Sequence, residues 1–419
     1  MRRNKMRSSI VTVGTEILFG QIVNTNSAWL SRELNDLGID VMYHFAVGDN
    51  DQRLADILGD ALDNTDLVIT TGGLGPTEDD LTKETVSHVM HDELAVHAES
   101  LAALEKIARV SGRKMTPNNY KQAMMPTRAV VFDNDAGSAP GFALSENGKT
   151  IVSLPGPPRE LTRMWKRCVR PYLSAFSDKT IYYRLVRFFG IGESNLETML
   201  LPLIDTQTDP TIATYAKEGE CSVRVASKRS DASEAKRAVD DILFKISEIA
   251  GEYILSYDGR GINEEVGEYL IENDITISAC ESCTGGMFSN MCVSVPGISH
   301  VFDSGFVTYT EKSKIKELGV SPETLAEFSA ESPEVAREMA AGLAARTGTR
   351  IAVSSTGVAG PGSRNGREAG TMFVGLAFDG NVTVRKIATH RDDREWNRNY
   401  CCLVMFDEIR RVLAIRPKI

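Results

Sequence analysis

The chain has 419 residues, more than one hydrophobic core usually organises, so two or three domains are expected. Its formal net charge of -10 disfavours nucleic acid or an anionic membrane as the main ligand. No apolar run approaches the length of a membrane span or resembles a secretory signal, so we expect a soluble, cytoplasmic protein.

Residues 1–176 alternate strand and helix patterns, which predicts an α/β domain with a mostly parallel sheet and helices on its faces. The predicted strands are 10–13, 39–41, 67–70 and 151–154, and the predicted helices are 28–37, 53–62 and 159–175. Ligands of such sheets bind at the carboxyl ends of the strands.

Residues 177–256 read as a small α+β module, and residues 257–419 as a second α/β domain. The module has predicted strands at 182–189 and 221–226 and predicted helices at 193–203 and 232–249. It contains no cluster of catalytic residue types, so a linking role is expected.

The last domain has predicted strands at 275–279, 305–309, 351–355, 370–378 and 382–387, and helices at 264–273, 287–293, 334–346 and 395–413.

A glycine-rich loop follows the predicted strand at 67–70. Gly72, Gly73 and Gly75 would let the backbone approach a ligand, and their N–H groups could hold an anion. Thr77 would then cap a helix that begins at Glu78, and the N-terminus of that helix would also favour phosphate.

Asp79 and Asp80 fall in the first turn of that predicted helix. They could hold a cation such as Mg²⁺ against a bound phosphate. They could equally do no more than complement the helix dipole. The pattern alone leaves both interpretations open.

The predicted strand at 275–279 leads into a Glu-Ser-Cys-Thr-Gly-Gly turn at 281–286 and then a helix. Ser282 would lie at the sheet edge, where the helix N-terminus and the amides of Gly285 and Gly286 could stabilise an oxyanion or a phosphate. Ser282 could also be only a helix cap. Cys283 is a rival nucleophile because a thiolate is intrinsically reactive. Its C-x-x-C spacing with Cys280 stands alone, which disfavours a redox or zinc site.

A nucleophilic serine needs a base. His300 and His390 occur in no recognisable triad setting. A lysine with a lowered pKa is the alternative, and Lys312, Lys314 and Lys316 follow the predicted strand at 305–309. These three lysines could also form a solvated helix face.

Taken together, these motifs resemble the CinA (competence/damage-inducible) family over essentially the whole chain. The N-terminal motifs are GTEILFGQI (14–22), NTN (24–26), TGGLGPTEDD (71–80), GSAPGF (137–142) and LPGPPRE (154–160). The C-terminal motifs are ESCTGG (281–286), FVTY (306–309) with Lys314, LGV (318–320), TGVAGPG (356–362) and GT (370–371) with Gly375. The resemblance implies a molybdopterin-binding-like three-layer α/β domain, the small α+β module, and a C-terminal α/β amidase domain.

For residues 257–419, the resemblance implies a nicotinamide-nucleotide amidase that needs no cofactor and converts nicotinamide mononucleotide to nicotinic acid mononucleotide and ammonia. It implies that Ser282 attacks the carboxamide carbon and that Lys314 accepts the serine proton. Tyr309 and Thr356 would orient the pair or the amide. The residues implied to contact the substrate or the oxyanion are Gly285, Gly286, Gly357, Gly360, Gly362, Arg394 and Arg398.

For the N-terminal domain, the resemblance implies a metal-dependent ADP-ribose pyrophosphatase, so that the chain would recycle pyridine nucleotides. The loop of Gly72, Gly73, Gly75 and Thr77 would hold the pyrophosphate. The residues implied to hold a divalent metal, Mg²⁺ or similar, are Asp79, Asp80, Glu16 and Asp49. We expect both nucleotides as ligands, no direct nucleic-acid or membrane contact, and a homo-oligomer, a dimer.

Two segments depart from the family pattern. Ser-Ala-Glu-Ser at 329–332 stands where relatives read Gly-Ala-Val-Ser, which adds the carboxylate of Glu331. Thr-His-Arg-Asp-Asp-Arg at 389–394 replaces the usual Gly-Asp-Arg. Either change could alter substrate affinity. The alternative functions are a non-catalytic partner of the DNA-uptake or recombination machinery and a molybdopterin-binding protein.

Overall fold

The computed structural model describes residues 6–112, 114–176, 180–217, 219–229, 231–417 and 419. The chain divides into two compact units, one of Met1–Tyr182 with Lys228–Ala235 and one of Tyr183–Ser227 with Lys236–Ile419. The domain boundary predicted between residues 176 and 177 adjoins residues 177–179, which lie outside the described residues.

The first unit is an α/β domain. Its strands are β1 (Arg7–Val13), β2 (Asp40–Val47), β3 (Leu67–Thr71), β4 (Leu94–Val96), β5 (Met124–Pro126), β6 (Val130–Phe132), β7 (Gly141–Glu146) and β8 (Lys149–Leu154). Its helices are α1 (Thr15–Leu18), α2 (Thr25–Asp36), α3 (Asp51–Asn64), α4 (Thr82–Val89), α5 (Ala98–Ser111), α6 (Pro117–Lys121), α7 (Pro158–Met164) and α8 (Arg170–Ser174), with a π-helical turn at Trp165–Val169.

A six-stranded sheet with the order β2-β1-β3-β8-β7-β6 forms the middle layer of this unit. The pairs β1–β2, β1–β3 and β3–β8 are parallel, and β7 and β6 add an antiparallel edge. Successive strand residues point to opposite faces, so Ile10 packs with Leu30 and Trp165 on one face, whereas Val11 packs with Leu58 on the other. Helices therefore cover both faces, and the predicted three-layer α/β fold is confirmed.

Most of the small α+β module belongs to the second unit, whereas its residues 180–182 and 228–235 fall in the first. Its elements are β9 (Thr180–Phe189), α9 (Glu193–Ile204), β10 (Thr211–Lys217), β11 (Glu220–Arg229), α10 (Ala232–Ala250) and β12 (Ile254–Ser256), with a short 3₁₀ turn at Gly251–Tyr253. The sheet has the order β10-β11-β9-β12. The apolar face of α10, with Val239, Leu243 and Ile246, is fully buried.

The rest of the second unit is the C-terminal α/β domain. Its strands are β13 (Ile277–Glu281), β14 (Phe302–Val307), β15 (Ile351–Val358), β16 (Thr371–Phe378) and β17 (Asn381–Ala388). Its helices are α11 (Ile262–Glu272), α12 (Met287–Val293), α13 (Glu311–Leu318), α14 (Pro322–Phe328), α15 (Pro333–Thr347) and α16 (Arg394–Val412), with a 3₁₀ turn at Ile298–His300.

The sheet of this domain has the order β14-β13-β15-β16-β17. Strand β13 is parallel to β14 and β15, and β16 and β17 are antiparallel. The strand predicted at 305–309 ends at Val307, so Tyr309 lies beyond it in the loop before α13. Lys312, Lys314 and Lys316 lie on α13, as the helix-face interpretation predicts, but Lys314 is buried and not solvated. Thr310 caps α13 by accepting from the N–H of Ser313 at 3.1 Å.

No helix in the described ranges is long and apolar enough to cross a membrane.

Candidate functional site

Ser282 follows the last residue of β13, at the carboxyl end of a strand flanked by two parallel neighbours. Its N–H donates to the Ser355 carbonyl of β15 at 2.9 Å, which continues the sheet pairing for one more residue. On the other side, the N–H of Thr308 donates to the Glu281 carbonyl at 2.8 Å. Both neighbouring strands therefore fix the backbone position of Ser282.

Lys314 lies on α13, and its side chain returns to this strand edge. Its Nζ donates to Ser282 Oγ at 2.8 Å and to the Thr308 carbonyl at 2.9 Å. The side chain is almost fully buried, and burial lowers the pKa of Lys314, whereas electrostatic interactions with Cys283 and Glu331 oppose that shift. A buried lysine that is easily deprotonated and hydrogen-bonded to a serine is a suitable base for that serine.

Glu281, which the sequence reasoning did not assign, organises the turn after β13. Its fully buried carboxylate accepts from the N–H groups of Gly286, Phe288 and Ser289 at 2.9–3.0 Å and from the Ser289 hydroxyl at 2.6 Å. The N-terminus of α12 is therefore already occupied by an anion. The preference of helix caps for serine pointed to Ser282, but the side chain that accepts from the first amides of α12 is that of Glu281, in the strand before the turn.

Gly285 and Gly286 were predicted to contact the substrate. The Gly286 N–H is taken by Glu281, and neither glycine is among the residues lining the adjacent cavity. The two glycines form the turn between β13 and α12. The assignment of the Gly286 amide to a phosphate or oxyanion is therefore wrong, whereas that of the Gly285 amide stays a prediction.

The Ser282–Lys314 pair opens into a cavity of about 760 Å³. Its lining includes both members of the pair together with residues of neighbouring loops, strand ends and helix starts, namely Cys283, Tyr309, Glu311, Lys312, Glu331, Gly357, Gly360, Gly362, Arg364 and Arg394. This volume suits a single nucleotide-sized ligand.

Arg394, the first residue of α16, extends its guanidinium into this cavity. It donates to the Gly360 carbonyl at 2.7 Å and to the Tyr309 hydroxyl at 3.1 Å. Arg398, one turn later, instead donates to the Thr284 carbonyl at 2.8 Å and does not line the cavity. The two arginines predicted to bind the substrate therefore differ, because Arg394 lines the cavity and Arg398 does not.

Thr356 was predicted to orient the catalytic pair or the amide. Its buried hydroxyl instead donates to the Ala330 carbonyl at 2.6 Å, and the residue is not part of the cavity lining. Thr356 therefore holds the segment that carries Glu331, and its effect on the pair is indirect.

The loop at 357–362 forms one wall of the cavity. Gly357 has φ +139°, and a Cβ there would lie 2.4 Å from Met372 Cα, so the close approach of β15 and β16 requires glycine. The Gly362 N–H donates to Asp392 Oδ1 at 2.7 Å, so a residue of the altered 389–394 segment fixes this wall.

Cys283 also lines the cavity, although its side chain is largely buried. A hydrogen bond with the Cys401 thiol lowers the pKa of Cys283 and raises the pKa of Cys401. Cys280 donates to the Met339 carbonyl at 3.5 Å, which leaves the C-x-x-C cysteines with different partners. The hydrogen bond of Lys314 favours Ser282 as the nucleophile over Cys283.

The first unit has its own cavity of about 670 Å³ next to the carboxyl ends of β1, β3 and β8. The predicted loop residues Gly72, Gly73, Gly75 and Thr77 all line it. Gly72 has φ +107°, and a Cβ there would lie 2.1 Å from the Val13 carbonyl oxygen. Only glycine allows the loop to pass this close to β1.

Thr77 does not cap a helix, because α4 begins at Thr82. Instead, the Thr77 N–H and hydroxyl donate to the carboxylate of Asp80 at 2.9 and 2.5 Å. A side chain three residues later thus closes the turn, and this local hydrogen bonding outcompetes the predicted helical start. The interpretation of Asp79 and Asp80 as first-turn complements of a helix dipole is therefore wrong.

Glu16, Asp49, Asp79 and Asp80 all line this cavity. Asp49 accepts from the N–H and hydroxyl of Thr15 at 2.9 and 2.8 Å. Among the described residues, no three His, Cys, Asp or Glu side chains converge as a metal-ligand set. Mg²⁺ usually binds one or two protein carboxylates and takes its other ligands from phosphate and water, so the metal site at these residues stays a prediction.

Three family models match the chain. One described as "CinA C-terminal domain" matches residues 260–413, one described as "Probable molybdopterin binding domain" matches residues 9–175, and one described as "Damage-inducible protein CinA KH domain" matches residues 183–255.

Relatives match nearly end to end. A competence-damage inducible protein of Clostridioides difficile (strain 630) is 43% identical over 398 residues, covering 93% of this chain and 95% of its own. One of Acetivibrio thermocellus is 43% identical over 407 residues, covering 97% and 98%. The crystal structure of CinA from Thermoplasma acidophilum is 34% identical and covers 40% of this chain and 99% of its own, with a TM-score of 0.38. The chain therefore belongs to the CinA family.

Proposed function

We propose that the C-terminal domain hydrolyses the carboxamide of nicotinamide mononucleotide to nicotinic acid mononucleotide and ammonia. The observation that carries this proposal is the buried Lys314 Nζ, 2.8 Å from Ser282 Oγ, at the base of a nucleotide-sized cavity. A base and a nucleophile in direct hydrogen-bond contact are the parts that amide cleavage through an acyl-enzyme needs.

In the proposed acylation step, neutral Lys314 accepts the Ser282 hydroxyl proton while Oγ bonds to the carboxamide carbon. The ammonium of Lys314 then protonates the amide nitrogen, the C–N bond breaks, and ammonia leaves. An ester of Ser282 remains. Water attacks that ester, its proton returns to Ser282 Oγ through Lys314, and nicotinic acid mononucleotide departs. No redox step or cofactor is required.

Other residues that line the same cavity would position the substrate. Arg394 offers a guanidinium that is tied to Tyr309 but remains exposed, and such a group suits the nucleotide phosphate. Exposed Lys312 lines the same cavity and adds positive charge. Gly357 and Gly360 provide a backbone wall against which the ring or the amide can pack.

For the N-terminal domain, we propose a metal-dependent ADP-ribose pyrophosphatase activity. Its cavity combines the Gly72–Gly75 loop with the carboxylates of Glu16, Asp49, Asp79 and Asp80, and in the described part of the chain its lining includes no Lys, Arg or His. A pyrophosphate would be repelled by these carboxylates alone. Bound Mg²⁺ would supply the positive charge that such a ligand needs.

Direct nucleic-acid binding is less well supported, despite the match of residues 183–255 to a KH model. KH domains clamp a nucleic-acid backbone at a glycine-containing loop. In this chain the loop at 190–192 leads into Glu193, and acidic residues outnumber basic ones over the matched segment. An acidic module of this kind repels phosphates.

One experiment on the full-length protein tests the two proposed activities independently. With nicotinamide mononucleotide, we expect ammonia and nicotinic acid mononucleotide, identified by mass, both with and without EDTA. With ADP-ribose, we expect AMP only when Mg²⁺ is present. Absence of ammonia under all conditions would overturn the amidase proposal, and AMP release that persists in EDTA would overturn the metal role.

A further inference from the structure

Glu331 is a buried carboxylate in the wall of the C-terminal cavity. The residue is only 7% exposed. A carboxylate in a buried position costs desolvation energy. It is therefore expected to have a partner in the folded protein or in the ligand.

Two polar side chains of the described chain contact the Glu331 carboxylate. Asn365 donates to Glu331 Oε2 at 2.8 Å, and Arg364 Nε lies 3.3 Å from Oε1. The Arg364 side chain is 70% exposed, so solvent weakens that ion pair. A carboxylate has about four acceptor positions, so these contacts leave capacity for a cation on the cavity side.

Glu331 is also close to the reacting centre. Glu331 lines the same cavity as Ser282 and Lys314, and its charge raises the pKa of Lys314 against the larger effect of burial. Lys314 is hydrogen-bonded to Ser282. An aromatic ring whose carboxamide lies at Ser282 Oγ therefore comes within the electrostatic range of Glu331.

We propose that Glu331 is a specificity-determining residue that selects the cationic, oxidised pyridinium ring of the nucleotide over the neutral, reduced dihydropyridine ring. This inference rests on the proposed amidase function, because the oxidised nicotinamide ring carries a full positive charge next to the amide that is cleaved. The same carboxylate disfavours the product, in which the amide has become a second carboxylate, and so promotes product release.

The test compares two ligands that differ in ring charge, nicotinamide mononucleotide and its 1,4-dihydro form. Dissociation constants are measured by calorimetry in the full-length Ser282→Ala protein, which avoids turnover. We expect the oxidised form to bind at least about tenfold more tightly. In the Ser282→Ala, Glu331→Gln protein, we expect the ratio of the two dissociation constants to fall close to one.

Glu311→Gln in the same background is the matched control, because Glu311 lines the same cavity at an exposed position. We expect it to preserve the ratio. A ratio unchanged by Glu331→Gln, or binding of neither ligand, would overturn the inference. Charge selection that depends on Glu331 in a protein whose wild type releases no ammonia would support the inference and overturn the amidase reaction alone.

Discussion

The Nζ of Lys314 lies 2.8 Å from the Oγ of Ser282, and both atoms belong to buried residues. Burial holds the pKa of Lys314 below the ordinary lysine value. Lys314 acts as a base only when it is neutral, so we expect kcat/KM for nicotinamide mononucleotide to rise with pH as Lys314 loses its proton. The midpoint of that rise is expected below the pKa of a free lysine.

A pH profile of ammonia release, with protein integrity checked by circular dichroism at each pH, measures this midpoint. A profile that rises only at the pKa of an exposed lysine would contradict the role of burial. A profile that falls over the same range would contradict Lys314 as a base.

Glu281→Gln is expected to destabilise the C-terminal domain by about 3 kcal/mol, because a buried carboxylate that accepts four hydrogen bonds becomes an amide with a misplaced donor. The measurement is urea unfolding of the full-length protein. Exposed Glu272, at the end of α11, provides the control Glu272→Gln, which should change the unfolding free energy by less than about 0.5 kcal/mol. Equal, small effects of the two substitutions would show that the Glu281 contacts are not important for stability.

Asp80→Asn and Thr77→Val distinguish two roles of the Asp80 carboxylate, metal binding and closure of the loop through Thr77. Asp80→Asn is expected to raise the Mg²⁺ concentration that gives half-maximal AMP release from ADP-ribose by about tenfold or more. Thr77→Val removes one hydrogen bond to the same carboxylate and should lower the rate without that shift. An unchanged Mg²⁺ requirement in Asp80→Asn would rule out the metal role, and thermal unfolding of each variant followed by circular dichroism serves as the folding control.

Gly72→Ala is expected to destabilise the N-terminal domain by about 3 kcal/mol or more, because the new Cβ would meet the Val13 carbonyl at 2.1 Å with φ at +107°. The control Gly59→Ala lies within α3, where a Cβ has nothing within 4 Å. It should stabilise by about 0.5–1 kcal/mol. Calorimetric unfolding of both variants measures the difference, and a tolerated Gly72→Ala would show that the close approach to β1 is not required.

The sequence was sufficient to predict the three-layer α/β fold of the first unit, because strand and helix periodicities and the family motifs agree there. It also identified Ser282 and Lys314, which the structure brings together from positions 32 residues apart. The sequence did not show which partners the hydrogen-bonding side chains around the site choose. Thr356 and Arg398 carry the expected groups, yet these groups bond to the carbonyls of Ala330 and Thr284.

The same limit explains the errors at the two loops. The helix start expected at Glu78 failed because Asp80 closes a turn onto Thr77, a contact that composition does not distinguish from a cap. The anion site expected at the Gly286 amide failed because the Glu281 side chain folds back onto the helix N-terminus and accepts from that amide.

The rate of ammonia release from nicotinamide mononucleotide by wild type, Ser282→Ala, Lys314→Met and Cys283→Ala tests the central claim most directly. We expect Ser282→Ala and Lys314→Met each to lose at least about a thousandfold in kcat/KM, because the two residues act as one unit. Cys283→Ala should retain activity within about tenfold. Loss of activity in Cys283→Ala together with its retention in Ser282→Ala would contradict the account and make Cys283 the nucleophile.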